Sequence, residues 1–404
     1  MVRPRARDFL QLELDEYTML PVRLRFCAVF TCLWLPLAAE RLFADETPPV
    51  AGGSETDVEG DDRINALLTP VLEKHKTPGL VAGIVRGDRL WVAGAVGVRK
   101  SGSPEPMTVH DQLHLGSDTK AMTATLLALL VEEGKLRWDS TVGELFPDLA
   151  DQLHPDCRGI TLTQLIQHRA GLVPNGPYGD LGEGSLVEKR EALLVKQLGK
   201  PPTSPPGTKF VYSNLGYIVA GHMAEQVAGD AWEHLMTTRL FEPLGMKSAG
   251  FGAPGTRGEV DQPWGHALTL GIIQQSIQGD NPPVLGPAGT VHCSLADWSR
   301  FVGLHLQGAQ RMPRLLTKET FQFLHTPAEG FAYAGGWGVV ERPEKGRLLA
   351  HSGSNTMWYA TAILVPEKNL AFLAVTNQGG NAAQAACDEA IAALAKFAEP
   401  EAEK

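Results

Sequence analysis

The chain has 404 residues, 43% of them hydrophobic and 20% charged, with 36 Lys+Arg against 46 Asp+Glu and a formal net charge of −10. Such a balance describes a globular protein with ample core, and net negative charge argues against nucleic acid or an anionic membrane surface as the main partner. Five cysteines are too few for a disulfide scaffold.

Near the N-terminus, Arg23 and Arg25 precede an apolar run from Phe26 to Ala39, FCAVFTCLWLPLAA. The run is short for a bilayer span and suits the apolar core of an export signal, with Met1 or Met19 as the start. Residues 1–44 are therefore expected to be a cleavable signal peptide and the protein to be exported, periplasmic or secreted. An uncleaved anchor is the alternative, and only that would make the membrane a partner. Cleavage leaves Cys157, Cys293 and Cys387, which permit one disulfide at most. Residues 45–62, DETPPVAGGSETDVEGDD, contain no basic residue and read as a disordered acidic linker.

From Arg63 the pattern becomes that of one folded domain, residues 63–398, followed by a charged tail at 399–404. Ile64, Leu67, Leu68, Val71 and Leu72 recur at helical spacing. Strands are expected over Leu80–Val85 and Leu90–Val98, joined by a hairpin turn at Arg86-Gly87-Asp88-Arg89. Three more are expected over Leu348–His351, Tyr359–Val365 and Leu370–Thr376, with a closing helix over Ala382–Phe397. Between these ends lie helices near Ala121–Glu133, Thr163–His168, Tyr217–Val227 and Trp232–Leu240. Gly171–Ser185 and Gly250–Pro287 are Gly/Pro-rich stretches expected to border a cleft. Strands from both chain ends around a helical middle imply an α+β fold: an antiparallel sheet packed on the terminal helices, with a helical lobe inserted.

Three short segments carry candidate chemistry. Ser117-Asp118-Thr119-Lys120 stands at the start of the most apolar helix, where residues three apart share a face. A serine hydroxyl needs a base, and a lysine serves only when neutral, which burial promotes. Taken alone, this spacing also describes a helix cap followed by a surface lysine. In Tyr212-Ser213-Asn214 the phenol can pass protons beside a lysine, and the Asn214 amide can hold a substrate carbonyl while bonding Lys120. In His351-Ser352-Gly353-Ser354 a glycine permits close backbone approach, and the Ser354 N–H can join that of Ser117 as an oxyanion hole. His168 reads as a structural histidine, Cys293 as buried packing, and Trp264, Gly265 and His266 as candidates to line the cleft.

Together and in this order, the three segments resemble the active-site serine penicillin-recognising family: class C β-lactamases, D-alanyl-D-alanine carboxypeptidases and related esterases. LHLGSDTK at Leu113–Lys120, TLTQLIQHRAGL at Thr161–Leu172, PGTKFVYSNLGYIVAG at Pro206–Gly221 and FEPLGM at Phe241–Met246 are all similar to family segments. The resemblance implies a β-lactamase/transpeptidase-like fold, with a five-stranded antiparallel sheet flanked by helices and an all-helical lobe. It implies Ser117 as acylated nucleophile, Lys120 as proton acceptor and Tyr212 as general base or acid. Asn214, His351, Ser352, Gly353 and Ser354 would bind substrate. No cofactor and no metal are implied.

One departure bears on substrate. Family β-lactamases usually carry Lys-Thr-Gly where this chain has His351-Ser352-Gly353, exchanging a permanent cation for a largely neutral imidazole. The leading expectation is a serine hydrolase working through an acyl-enzyme on an ester or amide, either a D-Ala-type peptide, including one derived from peptidoglycan, or a small ester. A true β-lactamase is the second reading. A non-catalytic penicillin-binding protein of the cell wall is the third.

Overall fold

The computed structural model describes residues 58–269, 272–310, 315–342 and 346–398. The expected signal peptide, most of the linker and the charged tail lie outside these residues. The linker's last residues belong to the fold: Asp61 caps helix α1 (Asp62–His75), its carboxylate accepting from the Arg63 amide, and Asp62 is the helix's first residue.

The main sheet is antiparallel. Strand β1 (Gly79–Arg86) turns into β2 (Arg89–Gly97) through Gly87-Asp88, with Gly87 at φ +63°, the positive φ that a two-residue hairpin loop requires. In chain order there follow β3 (Leu113–His114), helix α2 (Thr119–Glu132), helix α3 (Leu162–Ile166), helix α4 (Leu186–Leu198) and helix α5 (Asn214–Ala228). Then come β4 (Gly250–Phe251), β5 (Gly265–Thr269), β6 (Ile272–Ile277), β7 (Val291–Cys293) and helix α6 (Leu295–Gln310). Strands β8 (Gly338–Arg342), β9 (Gly346–Gly353), β10 (Tyr359–Val365) and β11 (Leu370–Thr376) precede the last helix, α7 (Asn381–Ala398).

The main sheet runs β2-β1-β11-β10-β9-β8, six strands rather than the expected five. The sixth, β8, is a short edge strand (GVVER) lying against β9, with no clean alternation to reveal it. The lobe is also not wholly helical: β3, β7 and β4 form a small sheet, and β5 and β6 a hairpin. Strands β3, β4 and β7, of two or three residues, are too short to show a period in sequence.

Alternation along the strands divides the core. Leu80, Ala82 and Ile84 of β1 and Phe372 and Ala374 of β11 pack against Ile64 and Leu68 of α1 and Ala386, Ile391 and Leu394 of α7. Val81, Val85, Leu373 and Val375 face the other way, into the larger core shared with the helical lobe. Helix α2 lies at the centre of that core and is buried from Thr119 through Leu130, as an apolar helix lacking a polar face must be. Its N-terminus thus meets the end of β9, and the site forms at that junction.

Candidate active site

Ser117 sits in a single 3-10 turn, Gly116–Asp118, that leads directly into α2. Gly116 has φ +53°, and a Cβ on it would collide with the Ser354 amide nitrogen. Facing it, Gly353 ends β9 so closely that a Cβ would strike the Leu115 carbonyl and lie 2.5 Å from the Ser117 nitrogen. Two glycines thus let the nucleophile's turn touch the sheet edge, with the Ser117 and Ser354 amides at the contact.

One turn along α2, Lys120 is fully buried. Its Nζ lies 2.7 Å from Asn214 Oδ1, 2.7 Å from the Ala288 carbonyl oxygen and 3.0 Å from Ser117 Oγ. Burial drives the Lys120 amine well below the ordinary lysine range, opposed in part by the Asp118 carboxyl. Two of the three neighbours are carbonyl-type oxygens that can only accept. A neutral amine has two protons, and these two acceptors take both. Its lone pair then faces the one neighbour that can donate, the Ser117 hydroxyl.

Asn214 opens α5, after Ser213 caps the helix by accepting from the Gly216 amide. Its Oδ1 holds Lys120, and its Nδ2 donates to Asn175 Oδ1 at 2.8 Å, which leaves one amide proton for a substrate carbonyl. Tyr212 lies just before that cap, with Lys120 Nζ 4.8 Å from its ring centroid. Burial pushes its phenol upward, as does the Asp118 carboxyl, while the Ser117 hydroxyl beside it draws it back. The phenolic oxygen is buried, with the Ser117 hydroxyl as its neighbour. His168, at φ +57°, backs the Tyr212 ring at 4.2 Å and accepts from the Ser213 amide through Nδ1. Its structural reading therefore stands.

On β9, His351 is buried and its Nε2 lies 3.0 Å from the Tyr333 hydroxyl. Burial and the nearby Lys120 push it down to about 3, so it is neutral at physiological pH. Ser352 Oγ meets Thr361 Oγ1 at 2.7 Å, and the exposed Ser354 closes its own turn by donating to the Trp358 carbonyl at 2.6 Å. All eight residues singled out from sequence thus gather around one junction of α2, α5 and β9. Of the candidate lining at 264–266, His266 does not join them: it is fully buried and ties the Ser101 amide to the Asn377 carbonyl.

Sequence reasoning missed the Ala288 carbonyl, Asn175 and Tyr333. A backbone oxygen leaves no trace in residue type. Asn175 and Tyr333 lie in loops 39 residues before Asn214 and 18 before His351, with no period linking them. Cys157, Cys293 and Cys387 are free and buried, so the one disulfide that three thiols permit is not formed.

The profile of the Beta-lactamase family matches residues 64–396. The chain belongs to the beta-lactamase family. Among curated relatives, penicillin-binding protein 4 of Amycolatopsis lactamdurans is 30% identical over 249 residues, 61% of this chain and 62% of that protein. Unguisins hydrolase ungD of Aspergillus violaceofuscus is 26% identical over 266 residues, 61% of this chain and 45% of that protein. The chain thus spans between about half and three-fifths of the relatives it matches. Among solved structures, the fold is similar to an octameric penicillin-binding protein homologue from Pyrococcus abyssi, with TM-score 0.67, 23% identity and coverage of 83% and 77% of the two chains. It is likewise similar to the D-alanine carboxypeptidase AmpC from Burkholderia cenocepacia, with TM-score 0.66, 20% identity and coverage of 81% and 98%. The beta-lactamase family's α+β fold is accordingly the fold of this chain.

Proposed function

We propose that this beta-lactamase family member is an exported serine hydrolase that cleaves an ester or amide through an acyl-enzyme at Ser117. The observation that carries this reading is the Lys120 environment: two carbonyl acceptors at 2.7 Å and the Ser117 hydroxyl at 3.0 Å. In acylation the neutral Lys120 takes the Ser117 proton as Oγ bonds to the substrate carbonyl carbon. The resulting oxyanion is held by the Ser117 and Ser354 amides. Collapse breaks the bond to the leaving alcohol or amine, which receives its proton through the Lys120–Tyr212 pair. Water, deprotonated by the same pair, then attacks the acyl carbon and releases the acid and free Ser117. Asn214 Nδ2 orients the substrate carbonyl group, and His351, Ser352 and Gly353 form the wall along which the substrate lies.

A neutral His351 offers no cation to a substrate carboxylate, which favours a small ester over a carboxylate-bearing β-lactam antibiotic. A D-Ala-type peptide, including one from peptidoglycan, is the other proposed substrate, by resemblance to family peptidases that carry His-x-Gly. That one relative is named a hydrolase and another a penicillin-binding protein agrees with this range. Export rests on the sequence of residues 1–44, and with it a periplasmic or extracellular site of action.

The test is a rate panel on a short-chain nitrophenyl ester, a D-Ala-D-Ala peptide and a cephalosporin, using protein from Asp45 onward, beside Ser117→Ala. Turnover of the ester or peptide, lost in the variant together with labelling by a fluorescent phosphonate, supports the reading. A retained rate in Ser117→Ala removes it. Fast cephalosporin hydrolysis would make the chain a true β-lactamase, and stoichiometric acylation without product release would make it a penicillin-binding protein.

A further inference from the structure

Three residues before the nucleophile, His114 on β3 is fully buried. Its Nδ1 accepts the Gly116 amide proton at 3.1 Å. An imidazole nitrogen that accepts carries no hydrogen, which places the ring's hydrogen on Nε2. Nε2 lies 2.7 Å from Asp280 Oδ1, a close polar contact, and the Asp280 side chain is itself only 8% exposed. Neither residue touches the Ser117–Lys120–Tyr212 chemistry directly.

Asp280 reaches further than His114. Its Oδ1 also accepts from Asn355 Nδ2 at 3.0 Å. Asn355 Oδ1 in turn accepts the Met357 and Trp358 amides, each at 3.1 Å. These bonds shape the turn that carries Ser354 and its N–H. The next residue, Asn281, donates to the Gly289 carbonyl at 2.8 Å, adjacent to the Ala288 carbonyl that holds Lys120. Residues 280–281 therefore brace the nucleophile's turn, the Ser354 turn and the lysine's carbonyl partner at once.

We propose that Asp280 and His114 are positioning residues that set the separation of the two oxyanion-hole amides, Asp280 fixing the Ser354 turn through Asn355 and the Ser117 turn through His114 and Gly116. The chemistry calls for such a brace. An oxyanion hole works through donors fixed in advance about 2.7–3.1 Å from the developing charge, and its two donors here come from chain segments more than 200 residues apart. The Gly116–Gly353 contact keeps the segments from moving closer. The Asp280 network ties both to a common point.

This inference rests on the serine-hydrolase reading, and the experiment separates the two. Wild-type protein, Ser117→Ala, Asp280→Ala, Asp280→Asn and His114→Asn are compared for kcat and KM on a nitrophenyl ester and for affinity for phenylboronic acid. The boronate forms a tetrahedral adduct on the serine and so reports the hole directly. Asp280→Ala is expected to lower kcat about 10–100-fold, with KM within about three-fold and boronate affinity falling in parallel. Asp280→Asn keeps an oxygen for His114 and Asn355 and should restore most of the loss. His114→Asn keeps an acceptor for Gly116 but cannot span to Asp280, and should resemble Asp280→Ala. Where Asp280→Ala fails to fold, Asp280→Asn and His114→Asn decide the matter. Wild-type kcat and boronate affinity in the folded variants, with Ser117→Ala inactive, would overturn the brace. A fully active Ser117→Ala would instead overturn the hydrolase reading.

Discussion

The Tyr333 hydroxyl lies 3.0 Å from His351 Nε2, so the wall-strand histidine is gripped from behind while buried. Burial holds this ring neutral, pushed down to about 3, whereas an unfolded histidine titrates near 6.5. Between those two values the unfolded chain binds a proton that the native state refuses, so stability falls as pH drops through that window. The limit for this residue alone is roughly 5 kcal/mol. His325, also pushed down to about 3, adds in the same direction. Asp388, raised to about 6, opposes it, being neutral when folded and ionised when unfolded from about pH 4 to 6. The melting temperature is expected to fall from pH 7 to pH 4, and less steeply in His351→Gln. Equal slopes for both proteins would refute the assignment.

Lys120 must be neutral to accept the serine proton, and arginine stays protonated throughout the accessible pH range. Lys120→Arg is therefore expected to lower the acylation rate on a nitrophenyl ester about 10²–10⁴-fold in stopped-flow traces. In the wild type that rate should climb with pH along a limb lying well below the ordinary lysine range, because burial lowers the Lys120 amine. An Arg variant within ten-fold of wild type would show that another group is the base.

Gly353→Ala places a methyl group against the Leu115 carbonyl, the Ser117 nitrogen and, at 2.8 Å, Asp118 Oδ2. Relieving that overlap moves the nucleophile, and kcat is expected to fall more than about ten-fold, with about 1–3 kcal/mol lost from stability. Gly159→Ala is the control, since a Cβ there meets nothing within 4 Å and its φ is −85°. Rates and denaturant midpoints for the two variants should diverge. Similar behaviour would mean that close approach at Gly353 is dispensable.

Far from the nucleophile, the buried Arg190 guanidinium pairs with Glu225 and Glu233 and donates to the Val284 carbonyl at 3.3 Å. Glu225 also accepts from the Trp232 amide and bonds His222. Arg190→Met strands the Glu225 carboxylate and is expected to cost about 3–5 kcal/mol in urea unfolding. The double variant Arg190→Met/Glu225→Gln should recover part of that loss. No recovery would mean that the charge on Glu225 is not what makes the single variant costly.

All five expected strands of the main sheet and the buried helix α2 were legible, because each has a strong period or a long apolar run over many residues. The convergence of the eight candidate residues was legible too, since Ser117–Lys120, Tyr212–Asn214 and His351–Ser354 each form a compact cluster of reactive types. Strand β8 escaped, being short, at an edge and half polar. Helix α4 passed unremarked although Ser185 and Glu188 form a capping box at its start. The Asp280–His114 pair escaped for a different reason. Two polar residues joined only by the tertiary fold have no spacing to betray them, and His114 alone reads as one more polar residue beside an apolar stretch.

Strand β1 lies between β2 and β11, and Thr376 Oγ1 reaches the Gly79 carbonyl across 297 residues. The middle of the sheet therefore stays open until the far end of the polypeptide emerges from the ribosome, and early collapse can assemble only fragments. Such long-separation closure is slow. Removing the last strand and helix would leave a nascent product unable to complete its centre.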